Sequence, residues 1–240
     1  ASMYGVYHGP AGLKSIAEKI HHLACGISEQ LEKLAPMAIG MKNENKLFFD
    51  TISISVSDRI LIQKIKTIAE SKQINFRYSE KNINISIDET TSAKDAKEIV
   101  EVFAEALGKN ILIPSLNGET NKSVIKSSFV NRTSPFLLHP IFNTCHSETE
   151  MMRYIKRLEN KDLSLTHSMI SLGSCTMKLN AAAELYPVTW PEFANIHPFA
   201  PLEQVEGYKI VINELEKFLC EITGFSAISF QPNSGAQGEY

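Results

Sequence analysis

The chain has 240 residues, of which 43% are apolar and 21% charged, a balance typical of a folded globular protein and unlike a long disordered segment. Its 24 Lys and Arg against 27 Asp and Glu give a formal net charge of −3, which argues against nucleic acid or a membrane as a partner. The four cysteines form no CxxC pair, so the sequence favours neither a zinc site nor a disulfide framework and points to a reducing compartment.

The first part of the chain alternates between helix and strand patterns. Apolar residues at helical spacing predict a helix over 13–34, which follows a break in the chain at Gly9-Pro10. A period of two predicts a strand over 47–56 and a hairpin over 74–87.

Two serines are predicted to cap the helices that lie between and after these strands. Ser57 precedes an apolar helical stripe, with Asp58 in its first turn. Ser92 is followed three residues later by Asp95, the pattern of a capping box, and Gly108 ends that helix. This order of elements predicts a compact α/β unit of roughly a hundred residues.

The remainder is predicted to hold a connector and a second, more helical zone. Residues 113–146 are rich in Pro, Ser, Asn and Thr without a lasting period, which is typical of a connector laid over a neighbouring domain. Ser147 and Glu150 predict a capping box that starts a helix. Residues 161–200 are expected to be irregular, and Pro201 is expected to begin a long helix.

The last fifteen residues resemble a strand-to-helix loop. Residues 226–230 predict a short buried strand, and the small residues Ser234, Gly235 and Gly238 follow it. Backbone N–H groups at such a helix start suit a phosphate, although the pattern also fits a plain turn. Neither a Walker motif nor GxGxxG is present, which favours a phosphate-bearing cofactor over a nucleotide. Because a domain seldom ends at such a loop, we expect the chain to be a piece of a longer polypeptide.

A second loop, 173–180, concentrates hydroxyls, a thiol and an ammonium group. Cys175 is a candidate nucleophile with His167 or His197 as its base, and Lys178 is a candidate for a Schiff base. A polar loop with an unreactive thiol is the favoured alternative for Cys175. The histidine spacings fit no zinc motif, so no metal site is expected.

Several longer runs are distinctive as whole motifs. They are HSETE at 146–150, RLENKD at 157–162, SLGSCTMKLN at 171–180, FANIHPF at 193–199, QPNSGAQGEY at 231–240, and the earlier runs at 7–10, 47–50, 74–77 and 132–137. Together they resemble the glycine decarboxylase (P-protein) family of the glycine cleavage system. The resemblance covers essentially the whole chain and is densest from Arg132 onward.

The resemblance implies an α/β protein of fold type I, the aminotransferase-like scaffold that binds pyridoxal 5'-phosphate. The family has two homologous halves, here in one polypeptide. Residues 1–112 would be the end of the first half, mainly its small C-terminal α/β domain. Residues 113–146 would be the connector, and 147–240 the start of the large cofactor-binding domain of the second half.

The resemblance also implies a set of site residues. The cofactor phosphate would be held at Ser234, Gly235, Ala236 and Gln237, and the lining of the active site would include Ser174, Cys175, Thr176, Lys178 and His197. The lysine that forms the Schiff base lies beyond Tyr240 in the family, so Lys178 is not expected to be that residue.

The activity that the resemblance implies is decarboxylation of glycine, with transfer of the aminomethyl group to the lipoyl arm of the H-protein by a homodimer. The chain alone is expected to be inactive. Two alternatives are another fold type I decarboxylase or aminotransferase and a non-catalytic interdomain or dimerisation module. The compartment would be the bacterial cytoplasm or, alternatively, the mitochondrial matrix.

Overall fold

The computed structural model describes most of the chain as two compact units, Ala1–Leu158 and Glu159–Tyr240. The described residues are 1–34, 41–43 (backbone only), 47–109, 132–162, 167, 181–233 and 235–240. Within these ranges, no helix combines the length and apolarity needed to cross a membrane.

The first unit consists of helices around one small sheet. Its elements are α1 (Ser2–Leu34), β1 (Met41–Asn43), β2 (Thr51–Val56), α2 (Arg59–Ser71), β3 (Arg77–Tyr78), β4 (Asn82–Ser86), α3 (Ala93–Ala106), a 3₁₀ helix at Pro140–Asn143, and α4 (Glu148–Glu159). This confirms the α/β class predicted for this part of the chain. Residues 132–146 of the predicted connector lie in this unit, whereas the domain boundaries of the whole protein stay a prediction.

The sheet is antiparallel throughout, with strand order β1-β2-β4-β3. The register places Ile52 opposite Ile85 and Ile54 opposite Ile83, and all four side chains are buried. The period of two therefore turns the isoleucines of both central strands toward one face, where Phe103 of α3 is also fully buried. Burying each such side chain stabilises the fold by about 1.5–3 kcal/mol before the entropy cost.

Of the two helix caps predicted in this part of the chain, one is confirmed and the other is wrong. Ser92 Oγ accepts the N–H of Asp95 at 3.2 Å, and Asp95 Oδ2 accepts the N–H of Ser92 at 2.8 Å, so the predicted capping box is confirmed. The prediction of Ser57 as the cap of α2 is wrong. Asp58 caps that helix, and its Oδ1 accepts the N–H of Ile60 at 2.8 Å.

The second unit is helical in its described residues. It contains α5 (Ala182–Thr189), α6 (Pro191–Ala194), a 3₁₀ helix at Leu202–Gln204, α7 (Glu206–Thr223) and α8 (Gly235–Glu239). Helix α7 ends at Gly224, whose φ of 74° is left-handed. The Tyr208 hydroxyl of α7 donates to the Phe193 carbonyl of α6 at 2.7 Å. None of the described side chains in this unit is buried.

Three predicted elements differ from those observed. The strand expected over 47–56 begins only at Thr51. The strand expected at 226–230 is absent, because a strand needs a neighbour to pair with and the described residues of the second unit include none. The segment 161–200, expected to be irregular, contains α5 and α6. The strong helix formers at 182–185 begin α5, and Pro191 occupies the first turn of α6, where proline is tolerated.

Candidate cofactor-binding site

The candidate site is the loop of residues 231–233 together with the first turn of α8. The backbone N–H of Asn233 donates to Gln237 Oε1 at 2.7 Å, so a side chain from the helix closes the loop that leads into it. The N–H of Tyr240 donates to the Ala236 carbonyl at 3.1 Å and continues the helical bonding to the last residue. The helix-start geometry expected from the small residues is therefore present.

Gly235 is the first residue of α8 and has open space beside its backbone. No atom lies within 4 Å of the position that a Cβ would take there, whereas a Cβ on Gly238 would lie 3.6 Å from Pro232 Cβ. The first N–H groups of any helix, here those of Gly235 and Ala236, have no carbonyl partner within the helix. Open space next to such donors is a setting in which an anion binds.

The charge of the loop also fits a phosphate. Glu239 is the single carboxylate in residues 231–240, and it lies at the far end of α8 from Gly235. Because a five-residue helix has a small dipole, the N–H donors themselves would supply most of the attraction. The residues present thus match the chemistry of a phosphate group held by backbone amides.

The predicted active-site lining falls largely outside the described residues. Ser174, Cys175, Thr176 and Lys178 lie in 168–180, and Ser234 is the one position between 181 and 240 that is not described. Their roles stay predictions.

His197 is described, and its hydrogen bonds are local. Its Nδ1 accepts the N–H of Phe199 at 3.0 Å, and its carbonyl accepts the N–H of Ala200 at 2.9 Å. Because Nδ1 is an acceptor, the neutral ring carries its proton on Nε2. The centre of the His197 ring also lies 5.8 Å from the centre of the Phe199 ring. None of these contacts joins His197 to the described residues of the candidate site.

The described residues contain neither a metal-binding cluster nor a disulfide. No three His, Cys, Asp or Glu side chains among them are grouped to hold a metal ion. Cys25, Cys145 and Cys220 form no disulfide. The bond between Gln237 and Asn233 is a feature that the sequence analysis missed, since it assigned Gln237 only to the cofactor.

Comparison with known proteins gives matches along the whole chain. Residues 1–103 match the family model described as Glycine cleavage system P-protein. The entire chain is 52% identical to the glycine dehydrogenase (decarboxylating) of Flavobacterium johnsoniae, 49% identical to that of a Nostoc species and 48% identical to the mitochondrial form of Gallus gallus. It covers 24%, 24% and 23% of these proteins, so it spans about a quarter of the length of the curated relatives that it matches.

Proposed function

We infer the function from one premise, that the chain belongs to the glycine cleavage system P-protein family. We propose that it forms part of a glycine dehydrogenase (decarboxylating), which releases CO₂ from glycine and passes the aminomethyl group to the lipoyl arm of the H-protein. The observation that carries this proposal is identity of about half over the whole chain to proteins of that name.

Within that enzyme, the part played by this chain is to hold the phosphate of pyridoxal 5'-phosphate. The N–H groups of Gly235 and Ala236 bind the phosphate oxygens, the hydroxyl of Ser234 adds a donor, and Gln237 keeps the loop closed through Asn233. The bound cofactor supplies an electron-accepting ring for the pair released as CO₂ leaves. A fixed phosphate orients the reacting group relative to the protein, which is how binding lowers the entropic part of the barrier.

The rest of the proposal follows the family. Residues 147–240 begin the large domain of a fold type I scaffold, and the enzyme is a homodimer. Ser174, Cys175, Thr176, Lys178 and His197 line the active site, and a lysine of the longer polypeptide, not Lys178, attaches the cofactor. We place the enzyme in the bacterial cytoplasm, with the mitochondrial matrix as the alternative, since the relatives include bacterial proteins and ones named mitochondrial.

The phosphate assignment is tested at Gly235 in the full-length protein that contains this chain. A Cβ at this position meets no atom within 4 Å, so the backbone has room to accept both Gly235→Asp and Gly235→Asn, which have the same shape and differ in charge. We expect Gly235→Asp to weaken binding of the cofactor at least tenfold relative to Gly235→Asn, because the added carboxylate repels the phosphate. The control Gly238→Ala makes only an ordinary contact with Pro232 and should bind nearly as the natural protein does.

If the Asp and Asn variants bound the cofactor with equal affinity, the assignment of its phosphate to this loop would be wrong. The family-level activity is tested separately, by glycine-dependent CO₂ release with the H-protein in the full-length protein. The 240-residue chain alone, mixed with cofactor and glycine, should release no CO₂. Attachment of the cofactor to a specific lysine of this chain, fixed by borohydride, would contradict the assignment of that lysine to the longer polypeptide.

A further inference from the structure

Helix α1 is interrupted at Gly9. The backbone there has φ 61° and ψ −177°, a conformation that essentially only glycine adopts. Pro10 follows and has no N–H, so the helical hydrogen-bond pattern is broken at the same place. Tyr7 lies in the last turn before the break, where carbonyls lack their regular helical donors.

A histidine from a distant part of the chain bonds to this turn. His146 Nδ1 donates to the Tyr7 carbonyl at 2.7 Å, across 139 residues of sequence. The acceptor is a carbonyl oxygen, so Nδ1 must carry the proton. His146 immediately precedes Ser147, whose Oγ accepts the N–H of Glu150 at 3.3 Å at the start of α4.

The space at Gly9 is shaped for the same segment. A Cβ on Gly9 would lie 2.5 Å from the Phe142 carbonyl oxygen and 2.7 Å from His146 Cε1, too close for any side chain. A Cβ on Gly5, one turn earlier, would lie 3.8 Å from Phe142 Cε1, an ordinary contact. Residues 139–146, here called the strap, therefore rest on a position of α1 that has no room for a side chain.

The strap also has internal bonds that give it a fixed shape. Asn143 Nδ2 donates to the carbonyls of Leu137 and His139 at 3.1 and 3.2 Å. The N–H of Ile141 donates to His139 Nδ1 at 3.2 Å, and Thr144 Oγ1 donates to the Pro140 carbonyl at 3.1 Å. Cys145 is 7% exposed. The strap thus has a fixed local conformation and a defined contact surface on α1.

We propose that Gly9 and His146 form an interlock that fixes the strap on α1 and so sets where α4 begins. His146 acts as a positioning residue through the Tyr7 carbonyl, and Gly9 acts by having no side chain. The interlock makes residues 139–146 part of the first unit, independently of the phosphate assignment and of the enzyme's activity.

The hydrogen bond is tested by hydrogen exchange of the 240-residue chain, followed in peptides covering 139–150. In His146→Asn, the side-chain amide places its N–H near the position of Nδ1, whereas in His146→Gln it lies near Nε2. We expect exchange about fivefold faster in His146→Gln and His146→Ala, the loss of one net hydrogen bond, and near-natural exchange in His146→Asn. Lys94→Ala, at an exposed position of α3 in the same unit, is the control and should leave these peptides unchanged.

The close contact between the strap and Gly9 is tested by comparing Gly9→Ala with Gly5→Ala. We expect Gly9→Ala to accelerate exchange of the strap at least as much as His146→Ala, and Gly5→Ala to leave it unchanged. Hydrogen exchange of α3 reports whether the first unit as a whole stays folded. If Gly9→Ala unfolds the first unit, the comparison of His146→Asn with His146→Gln tests the interlock instead. Identical exchange in His146→Asn, His146→Gln and the natural chain would overturn the interlock, as would a strap unaffected by Gly9→Ala.

Discussion

Helices α3 and α7 carry similar amphipathic patterns but differ completely in what their apolar faces contact. Phe103 of α3 is fully buried in the hydrophobic core of the first unit, 5.8 Å from the ring of Phe76. Phe218 of α7 is 59% exposed, and Ile222 is 78% exposed. The same sequence period thus specifies a helix in both units, but burial requires a second surface that only the first unit supplies within the described residues.

The largest expected effect comes from truncating the same residue type in the two helices. Phe103→Ala should lower the free energy of unfolding of the first unit by about 3–5 kcal/mol, because it leaves a cavity in a packed core. Phe218→Ala should change the free energy of unfolding by no more than about 0.5 kcal/mol, because its side chain is already exposed. Denaturant unfolding followed by circular dichroism compares the two. A large loss from Phe218→Ala would show that α7 is buried against something in solution.

A smaller effect is expected at the cap of α3. Hydrogen bonds from the backbone and the hydroxyl of Ser92 hold the pKa of Asp95 below its ordinary value. A depressed carboxyl pKa stabilises the fold above the unfolded value of about 3.9, and this stabilisation is lost as the pH falls through the folded pKa. The difference in unfolding free energy between the natural chain and Asp95→Asn should therefore shrink as the pH is lowered from neutral into that range.

Two variants sharpen this measurement. Ser92→Ala should cost about 1 kcal/mol at neutral pH, as loss of an N-cap typically does. Glu98→Gln removes an exposed ion pair with Lys94 on the same helix, 3.6 Å long, and should have little effect. A pH-independent difference for Asp95→Asn would contradict the role of its ionised carboxylate.

The smallest effect on stability at neutral pH is expected at Tyr78. Burial, with a smaller contribution from the carboxylate of Glu70, raises the pKa of its phenol well above the ordinary value. Among the described residues, its hydroxyl has no hydrogen-bond partner, so Tyr78→Phe should be nearly neutral or slightly stabilising below pH 9. Because burial raises the pKa of the phenol in the fold, the natural chain should lose stability relative to Tyr78→Phe as the pH rises above the unfolded pKa of about 10.

Phenolate absorbance during alkaline titration measures this directly. Tyr78→Phe should remove a step that lies well above the ordinary phenol pKa of about 10. If it instead removes a step near that ordinary value, the phenol of Tyr78 is accessible to water.

The features that could be predicted from sequence are those set by neighbouring residues. The buried face of β2 follows from the alternation at Ile52 and Ile54, and the cap of α3 follows from Ser92 and Asp95 three residues apart. The cap of α2 was misplaced by one residue, since Ser57 and Asp58 both have capping side chains and the backbone turn decides between them.

Features that depend on distant partners could not be predicted. No local pattern joins His146 to Tyr7 across 139 residues, although Gly9-Pro10 marked the break that receives it. The strand expected at 226–230 failed for the same reason, since its stability depends on a neighbour elsewhere. At the candidate site, the turn into α8 was readable from its small residues, whereas the choice of Gln237 as the acceptor for Asn233 depends on a side-chain rotamer.

The two outermost strands of the sheet are its shortest, β1 with three residues and β3 with two. So few free backbone groups give another polypeptide little to pair with, and this guards the sheet against edge-to-edge aggregation. The self-association hazard of the isolated chain lies instead on the uncovered surface of α7, and solubility should improve most when that helix is shielded.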